Sequence, residues 1–281
     1  GSRGANGVVL ITTKSGKRGD SKITFNTFHG ISNVVRKVDL MTPAQFAEGV
    51  NYSEGVERFT PAEIDELRNV GGQNWQDNIL QAAPSSNYQL AFQGGSQKVD
   101  FYISGNYFKT EGIVINQDYE RYQLRANINA DISDKIKIGL NAMGSSSTQT
   151  GASASIWSAL TFDMTTDPYD ENREYNLRSV KSDIGNSQFN PILIPNEAIR
   201  ENQNAGVRAN GFFDLELIKN LHLNISGGVD WGTGTNNSYN PILITTIGTA
   251  SVLNTKSVDI QNTNRLTYVL EKDVHRFQVD A

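Results

Sequence analysis

The residues with the clearest potential for chemistry lie in one long polar stretch, residues 149–205. Its acids include Asp163 and Asp167, and the aromatic residues near these two are Trp157, Phe162 and Tyr169. Paired carboxyl groups beside aromatic rings are typical of glycoside hydrolases, in which one acts as the acid and the other as base or nucleophile. The sequence does not give the separation of the two carboxyl groups, and polar loops commonly carry acids. Stacking of a ligand on the aromatic rings is therefore favoured over catalysis, and plain packing within the loop is favoured over both.

Three aromatic residues are the candidates for contact with a ligand, namely Trp75, Trp157 and Tyr169. The three histidines of the chain stand alone and lack the spacing of metal ligands. The chain has no cysteine, which excludes disulfide bonds and thiol chemistry. We therefore predict that the protein is not an enzyme, and we predict no catalytic residue, no metal site and no cofactor.

A glycine-rich stretch at the start of the chain, GSRGANGVVLITTKSGKRG (residues 1–19), is a second place where chemistry could be expected. A phosphate-binding loop follows its strand, ends in Gly-Lys-Ser/Thr and leads into a helix. Here the glycines precede the β-branched residues 8–13, and Gly16-Lys17 is followed by Arg18. This spacing argues against nucleotide binding and predicts a turn into a buried strand.

The composition limits the partners and the class of protein. The 281 residues are 37% hydrophobic and carry a net charge of −5, with scattered Lys and Arg, so nucleic acid is not an expected partner. No apolar run is long enough for a transmembrane helix. A membrane β-barrel would contain no such run either, because only alternate residues of its strands meet lipid.

Several segments alternate between apolar and polar residues with a period of two, which indicates strands with one apolar and one wet face. The clearest segments are residues 122–132, 135–142 and 221–231, and shorter ones lie near residues 88–92, 99–103, 266–270 and 275–279. Less regular strands are predicted at about residues 22–34 and 206–218. The wet face carries Arg125, Asn127, Asn129, Asp131, Lys135, Lys137, Asn224 and Asp230.

The connections between these strands alternate between long and short. The long ones are residues 36–86, 109–118, 149–205 and 237–262, and the short ones are residues 94–97, 133–134, 219–220 and 271–273. Nine strands of about 9–14 residues, with tight turns on one rim and long loops on the other, predict an all-β, transmembrane, antiparallel up-and-down β-barrel. The alternative is a soluble β-sheet module for surface binding or adhesion, which would bury the same aliphatic residues between two sheets.

Two further features concern the rim that carries the long loops. The aromatic residues Tyr107, Phe108, Tyr119, Tyr122 and Trp231 lie near the strand ends that face it, where an aromatic girdle is expected.

Inside residues 36–86, Thr42-Pro43 and Thr60-Pro61 each predict the start of a short helix, the second with Glu63 at capping-box spacing. A third helical turn is predicted between residues 75 and 82. A loop this long and ordered is typical of a functional segment.

Several short motifs occur in a fixed order in the first half of the chain. They are GSRGANGVVLITTKSG at residues 1–16, Trp75-Gln76-Asp77 followed by Ala83-Pro84, Gly94-Gly95-Ser96, Phe101-Tyr102-Ile103-Ser104 to Tyr107, Glu111-Gly112-Ile113-Val114, and Arg121-Tyr122 through Asn127. Together they resemble the SusC/RagA-type TonB-linked outer-membrane receptors. The first motif resembles the last strand of that family's plug domain, and the others resemble its first extracellular loop and early barrel strands. The resemblance covers residues 1–145 closely and the remainder only by pattern.

The resemblance implies that residues 1–19 are the C-terminal end of a plug domain. Residues 20–281 would form the N-terminal part of the barrel, roughly the first nine of about 22 strands. It further implies energy-coupled uptake of a bulky nutrient, an oligosaccharide or a peptide, at the outer membrane of a Gram-negative bacterium. The implied partners are a SusD-like surface lipoprotein over the barrel mouth, outer-membrane lipid, and the TonB complex through segments that this chain lacks.

Two structural expectations follow. Leu124, Ala126, Ile128, Ile136, Ile138 and Leu140 should lie on one face, away from the concave side, with Arg125, Asn127, Asn129, Lys135 and Lys137 on the other. Residues 8–13 contain consecutive apolar residues, so they should form a strand covered on both faces that lies outside the barrel wall.

Overall fold

The computed structural model describes residues 16, 18–19, 21–179, 181, 189–272 and 275–281. One nine-stranded antiparallel sheet contains every named strand, in sequence order from β1 to β9. The strands are β1 (Lys22–Ser32), β2 (Ala83–Gly95), β3 (Val99–Glu111), β4 (Asp118–Ser133), β5 (Ile136–Thr150), β6 (Ile199–Ile218), β7 (Leu221–Asn240), β8 (Thr249–Lys272) and β9 (His275–Asp280). The predicted all-β, up-and-down arrangement of nine strands is confirmed. Within the described part of the chain the sheet is open, because β1 pairs with β2 alone and β9 with β8 alone.

Among the residues that the structure describes, five helices lie in the connections. They are α1 (Pro43–Glu54), α2 (Pro61–Val70), α3 (Trp75–Ile79), α4 (Ile156–Thr161) and α5 (Leu193–Glu197). The two predicted helix starts are confirmed, since Thr42 and Thr60 each form a capping box with a proline at the first helical position. Within the described ranges, none of the helices combines the length and the apolar character needed to cross a membrane.

The connections sort by length onto the two ends of the strands. Tight turns occupy residues 96–98, 134–135 and 219–220. The opposite end, here called the long-loop rim, carries residues 33–82, 112–117, 151–198 and 241–248. All five helices therefore lie at the same end of the sheet.

The strands of the second half extend beyond their predicted bounds. β6 and β7 have 20 residues each and β8 has 24, so the predicted loops 149–205 and 237–262 shorten to residues 151–198 and 241–248. The loops predicted at 36–86 and 109–118 shift to 33–82 and 112–117. In β7 the added residues, GTGTNNSYN at 232–240, are almost all polar or glycine on both faces, so the period-two pattern is absent where the pairing continues.

The register between strands aligns the apolar residues in continuous rows. One row consists of Ile23, Phe92, Ile103, Ala126, Ala142, Ala209, Val229 and Ile260. The next consists of Phe25, Leu90, Gly105, Leu124, Gly144, Val207, Trp231 and Val258. We call this side of the sheet the apolar face and the other side the polar face. As predicted, the aliphatic residues of β4 and β5 share one face, and Arg125, Asn127 and Lys137 lie on the other.

Exposure is inverted relative to that of a water-soluble sheet. On the apolar face, Leu124 is 70% exposed and Leu140 is 45% exposed, whereas Asn127 on the polar face is only 9% exposed. A soluble sandwich would bury the two leucines between sheets. The described residues form one sheet and leave them uncovered, which contradicts the sandwich alternative.

Residues 8–13, the predicted plug strand, lie outside the described residues, as does most of the predicted plug segment 1–19. Three of its members are described, and they contact the end of the sheet with the tight turns. Arg18 pairs with Asp131 (Nη1–Oδ2, 2.6 Å) and with Asp100 on the polar face. Gly19 donates its backbone N–H to the carbonyl oxygen of Gly95.

Candidate functional site at the long-loop rim

Three of the four connections at the long-loop rim share a hydrophobic core. Its buried members are Trp75, Ile79, Ala154, Ala159, Phe162 and Ile192, which come from residues 33–82 and 151–198. Val114 of the third connection packs against this core, and its segment pairs with Leu80 through an isolated β-bridge. These three connections therefore form one packed unit rather than separate loops.

A second cluster attaches α1 and α2 to the same unit. Met164, which belongs to residues 151–198, packs in one cluster with Phe46, Ala47, Val50 and Phe59. The backbone N–H of Gln73 donates to the carbonyl oxygen of Met164 at 2.7 Å. The α1–α2 segment is thus fixed against the second long connection by both apolar and backbone contacts.

Trp75 lies in the core of this unit, so it is not available to a ligand as the sequence suggested. It is 1% exposed, its Nε1 donates to the carbonyl oxygen of Asp163 at 2.9 Å, and its ring meets Phe162 edge to face. Sequence reasoning could not separate a buried from an exposed tryptophan in a loop, because the loop has no periodic pattern. Trp75 is a packing residue.

Replacing Trp75 by alanine is expected to loosen the packed unit, since truncating a buried aromatic side chain costs about 3–5 kcal/mol. Limited proteolysis of the folded protein should then cut within residues 33–82 at a much higher rate. Trp75→Phe serves as the milder variant, because it keeps an aromatic ring in the core and loses the hydrogen bond to Asp163 and only part of the indole volume. Equal cleavage rates in wild type and Trp75→Ala would contradict this role.

The two aspartates that suggested hydrolysis are held by the loop itself. Asp163 is fully buried, and its carboxylate accepts hydrogen bonds from the hydroxyl groups of Thr165, Thr166 and Ser179. The Asp167 carboxylate accepts a hydrogen bond from Gln73 Nε2 at 2.8 Å. Both carboxylates stabilise the long connection, and the hydrolase hypothesis has no structural support.

A cavity of about 680 Å³ opens between α2 and the segment around residues 165–181. Its lining includes Glu63, Glu66 and Leu67 on one side and Asp167, Tyr169 and Lys181 on the other. Tyr169 is 42% exposed, so this predicted ligand residue reaches the cavity. Trp157, the third candidate, is 66% exposed on α4 and lies outside the lining of this cavity.

An ion pair between Lys181 and Glu63 joins the two sides of the cavity. The Lys181 ammonium also lies 5.3 Å from the centre of the Phe59 ring. The hydrogen bond from Lys181, together with those from the backbone and side chain of Thr60, lowers the pKa of Glu63 from 4.5 to about 2. Glu63 therefore caps α2 and holds it to the second long connection.

This pairing predicts an acid-sensitive contact. Because the pKa of Glu63 is lower in the folded state, its contribution is fully present above pH 4.5 and is lost as the pH falls towards 2. Amide hydrogen exchange in α2, corrected for the intrinsic effect of pH, should accelerate across this range. Lys181→Met, which removes the cation, should flatten much of the dependence. An unchanged pH profile in this variant would assign the effect to other groups.

Part of the predicted aromatic girdle is present on the apolar face. Tyr107 and Tyr122 lie in one register row with Tyr88, with neighbouring ring centres 6.2 and 4.9 Å apart. Trp231 is on the same face, in the adjacent Leu124 row. Together these rings border the apolar face at its long-loop end.

Phe108 and Tyr119 were predicted in the same girdle, but they lie on the polar face. Each is an odd number of residues from a girdle tyrosine in its own strand, so its side chain points to the opposite side. Their ring centres are 6.1 Å apart, and the guanidinium of Arg121 lies 5.9 Å from the centre of the Phe108 ring. Proximity to a strand end therefore did not predict which face of the sheet carries the side chains of Phe108 and Tyr119.

Comparison with known sequences shows that the chain is similar to TonB-dependent receptors. The chain is 34% identical over 244 residues to TonB-dependent receptor P3 of Formosa agariphila, covering 81% of this chain and 23% of that protein. It is 25% identical over 263 residues to TonB-dependent receptor SusC of Bacteroides thetaiotaomicron, covering 84% and 25% respectively. The chain thus spans about a quarter of the length of the curated relatives it matches. No model of a protein family matches it.

Comparison with solved structures supports the fold. The chain superposes on the RagAB peptide importer in its open-open state with a TM-score of 0.78 at 23% identity, covering 98% of this chain and 35% of that chain. The closed-closed state gives a TM-score of 0.75. The curated relatives are receptors by name, which confirms the prediction that the chain is not an enzyme.

Proposed function

The chain belongs to the SusC/RagA-type TonB-dependent receptors, and we propose that its sheet contributes nine strands to the wall of an outer-membrane transporter for a bulky nutrient. The observation that carries the proposal is the apolar face, whose rows of apolar residues and glycines run across eight strands and whose large side chains remain exposed. Water-soluble proteins rarely expose an apolar surface of this extent. In a barrel wall, that surface lies against lipid and the polar face lines the interior.

The dimensions of the apolar face suit this placement. From Ala130 to Tyr122, β4 extends about 26 Å at ~3.3 Å per residue. At a strand tilt of ~40° this corresponds to about 20 Å along the membrane normal, near the ~25 Å apolar band of outer-membrane barrels. The row of Tyr88, Tyr107 and Tyr122 would lie at the outer interface, where aromatic rings are favoured.

The packed unit of the long-loop rim would then stand at the cell surface of a Gram-negative bacterium. Its position suits contact with incoming cargo and with a SusD-like surface lipoprotein that covers the barrel mouth. The neighbours in structure include a peptide importer, and an oligosaccharide remains the other candidate cargo. Residues 1–19 would form the end of the plug domain, and the cycle would draw energy from the TonB complex.

A growth and uptake assay tests this proposal. Cells with the gene disrupted should lose growth on one defined oligosaccharide or peptide as the sole nutrient, and the complemented strain should recover. Removal of TonB should reproduce the defect, and affinity purification of the intact receptor should recover a surface lipoprotein. Unimpaired uptake of every nutrient tested in the disrupted strain would contradict a transport role and favour a surface-binding module.

A further inference from the structure

Two arginines on the polar face of β4 have donors without partners. Arg121 and Arg125 are four positions apart on one strand and lie on the same side of it. The Nε atom of each is buried and makes no hydrogen bond to any residue that the structure describes. In the described part of the chain neither side chain is in an ion pair, whereas Arg208 on the same face donates from Nε to Asp230 Oδ2 at 2.7 Å.

A buried donor that has lost its hydrogen bond to water and gained none from the protein is destabilising. The Nε–H of arginine and the neighbouring Nη–H form a fork that matches the two oxygens of a carboxylate or the oxygens of a sulfate. An anionic group that approaches each arginine from the polar side would satisfy the buried Nε. A neutral hydroxyl group would satisfy only one donor and would leave the charge unbalanced.

The surroundings favour a sugar as the carrier of the anionic groups. Arg121 and Arg125 are separated by about 13 Å along the strand, so an extended chain with repeated anionic groups could reach both. Between them, Gln123 lies opposite Asn106. The amide nitrogens of these residues donate to Met143 and Asn87, so it is the amide oxygens that could accept hydrogen bonds from sugar hydroxyl groups. Next to Arg121, the rings of Phe108 and Tyr119 offer apolar faces for a sugar ring.

We infer that Arg121 and Arg125 form a recognition track for an acidic oligosaccharide that bears carboxylate or sulfate groups. The inference rests on the proposed function, because the polar face must line the uptake route for the track to meet cargo. It adds a substrate class to that function: an anionic rather than a neutral glycan.

Arginine-selective labelling of the full-length protein in detergent tests the track. Phenylglyoxal modification is followed at each arginine by mass spectrometry, with an oligogalacturonate as probe and a neutral galactose oligomer of equal length as control. Arg121 and Arg125 should react without the probe and should be protected several-fold by the acidic oligomer alone. Arg208 should be insensitive, since its ion pair persists in both conditions.

Variants supply a second readout through calorimetric binding of the same oligogalacturonate. Arg121→Gln and Arg125→Gln should each weaken binding about tenfold or more, as expected for loss of a charged hydrogen-bond partner. Lys137→Gln removes a polar-face cation near the tight turns, beside Asp131, and should leave the affinity unchanged.

Three results would overturn the inference. They are equal protection by the neutral oligomer, protection by an oligoglutamate peptide but not by the acidic sugar, and resistance of both arginines to labelling without any probe. The last would mean that another part of the protein covers them. Because these measurements need no uptake, a receptor that binds the probe but fails to support growth would count against the proposed function instead.

Discussion

Replacing Leu140 by arginine is expected to destabilise the folded wall by about 2–4 kcal/mol, because under the proposed function its side chain meets the middle of the hydrocarbon layer. Leu140 lies opposite Ile128 and Gly211 in the register and is 45% exposed, so packing within the chain does not account for its apolar character. The measurement is urea unfolding of the full-length receptor in lipid bilayers.

Asn141→Arg is the matched control, since it introduces the same side chain one residue further along β5. Asn141 lies on the polar face, opposite Asn127 and Asn210, where an arginine meets polar side chains instead of hydrocarbon. We expect a change below about 1 kcal/mol at this position. Equal costs at positions 140 and 141 would mean that the two faces meet the same medium, which the proposed function does not allow.

Residues 1–281 expressed alone in detergent-free buffer are expected to aggregate or to remain unfolded. Both edge strands, β1 and β9, have a single partner, so each presents a row of unpaired backbone groups. In hydrocarbon each such group costs several kcal/mol, so the open sheet is not self-sufficient in a membrane either. In water, exposed apolar side chains such as Leu124 and Ile23 also favour association between copies of the chain.

Size-exclusion chromatography and a thermal melt measure this expectation. The predicted outcome is material in the void volume or in the pellet, with no cooperative transition. A monodisperse species with one sharp transition would identify a self-sufficient soluble domain, and the assignment of the sheet to a barrel wall would have to be abandoned.

The fold was predictable from the sequence in those strands whose residues alternate between an apolar and a polar face. In β4 and β5 the alternation from Leu124 to Leu140 fixed the facing, because a shift of one residue would reverse every side chain. The helix starts at Thr42 and Thr60 were also predictable, since a cap is a local interaction between residues three apart.

The features that the sequence could not supply depend on long-range contacts. The extension of β7 is almost entirely polar or glycine on both faces, so no period marks it. The burial of Trp75 depends on residues 151–198, and the cavity beside Tyr169 depends on the docking of α2 against that segment. The sequence placed Arg125 on the polar face, but only the structure reveals that its buried Nε has no partner.

Alternating cysteine accessibility tests the central claim most directly, namely that the apolar face meets lipid and the polar face meets water. These 281 residues contain no cysteine, so a single replacement at Leu140, Asn141, Ala142 or Met143 introduces the one thiol of this segment. In intact outer membranes, a lipid-soluble maleimide should label positions 140 and 142, and a water-soluble maleimide should label positions 141 and 143. Labelling of positions 140 and 142 by the water-soluble reagent, at the rate of their neighbours, would contradict the account.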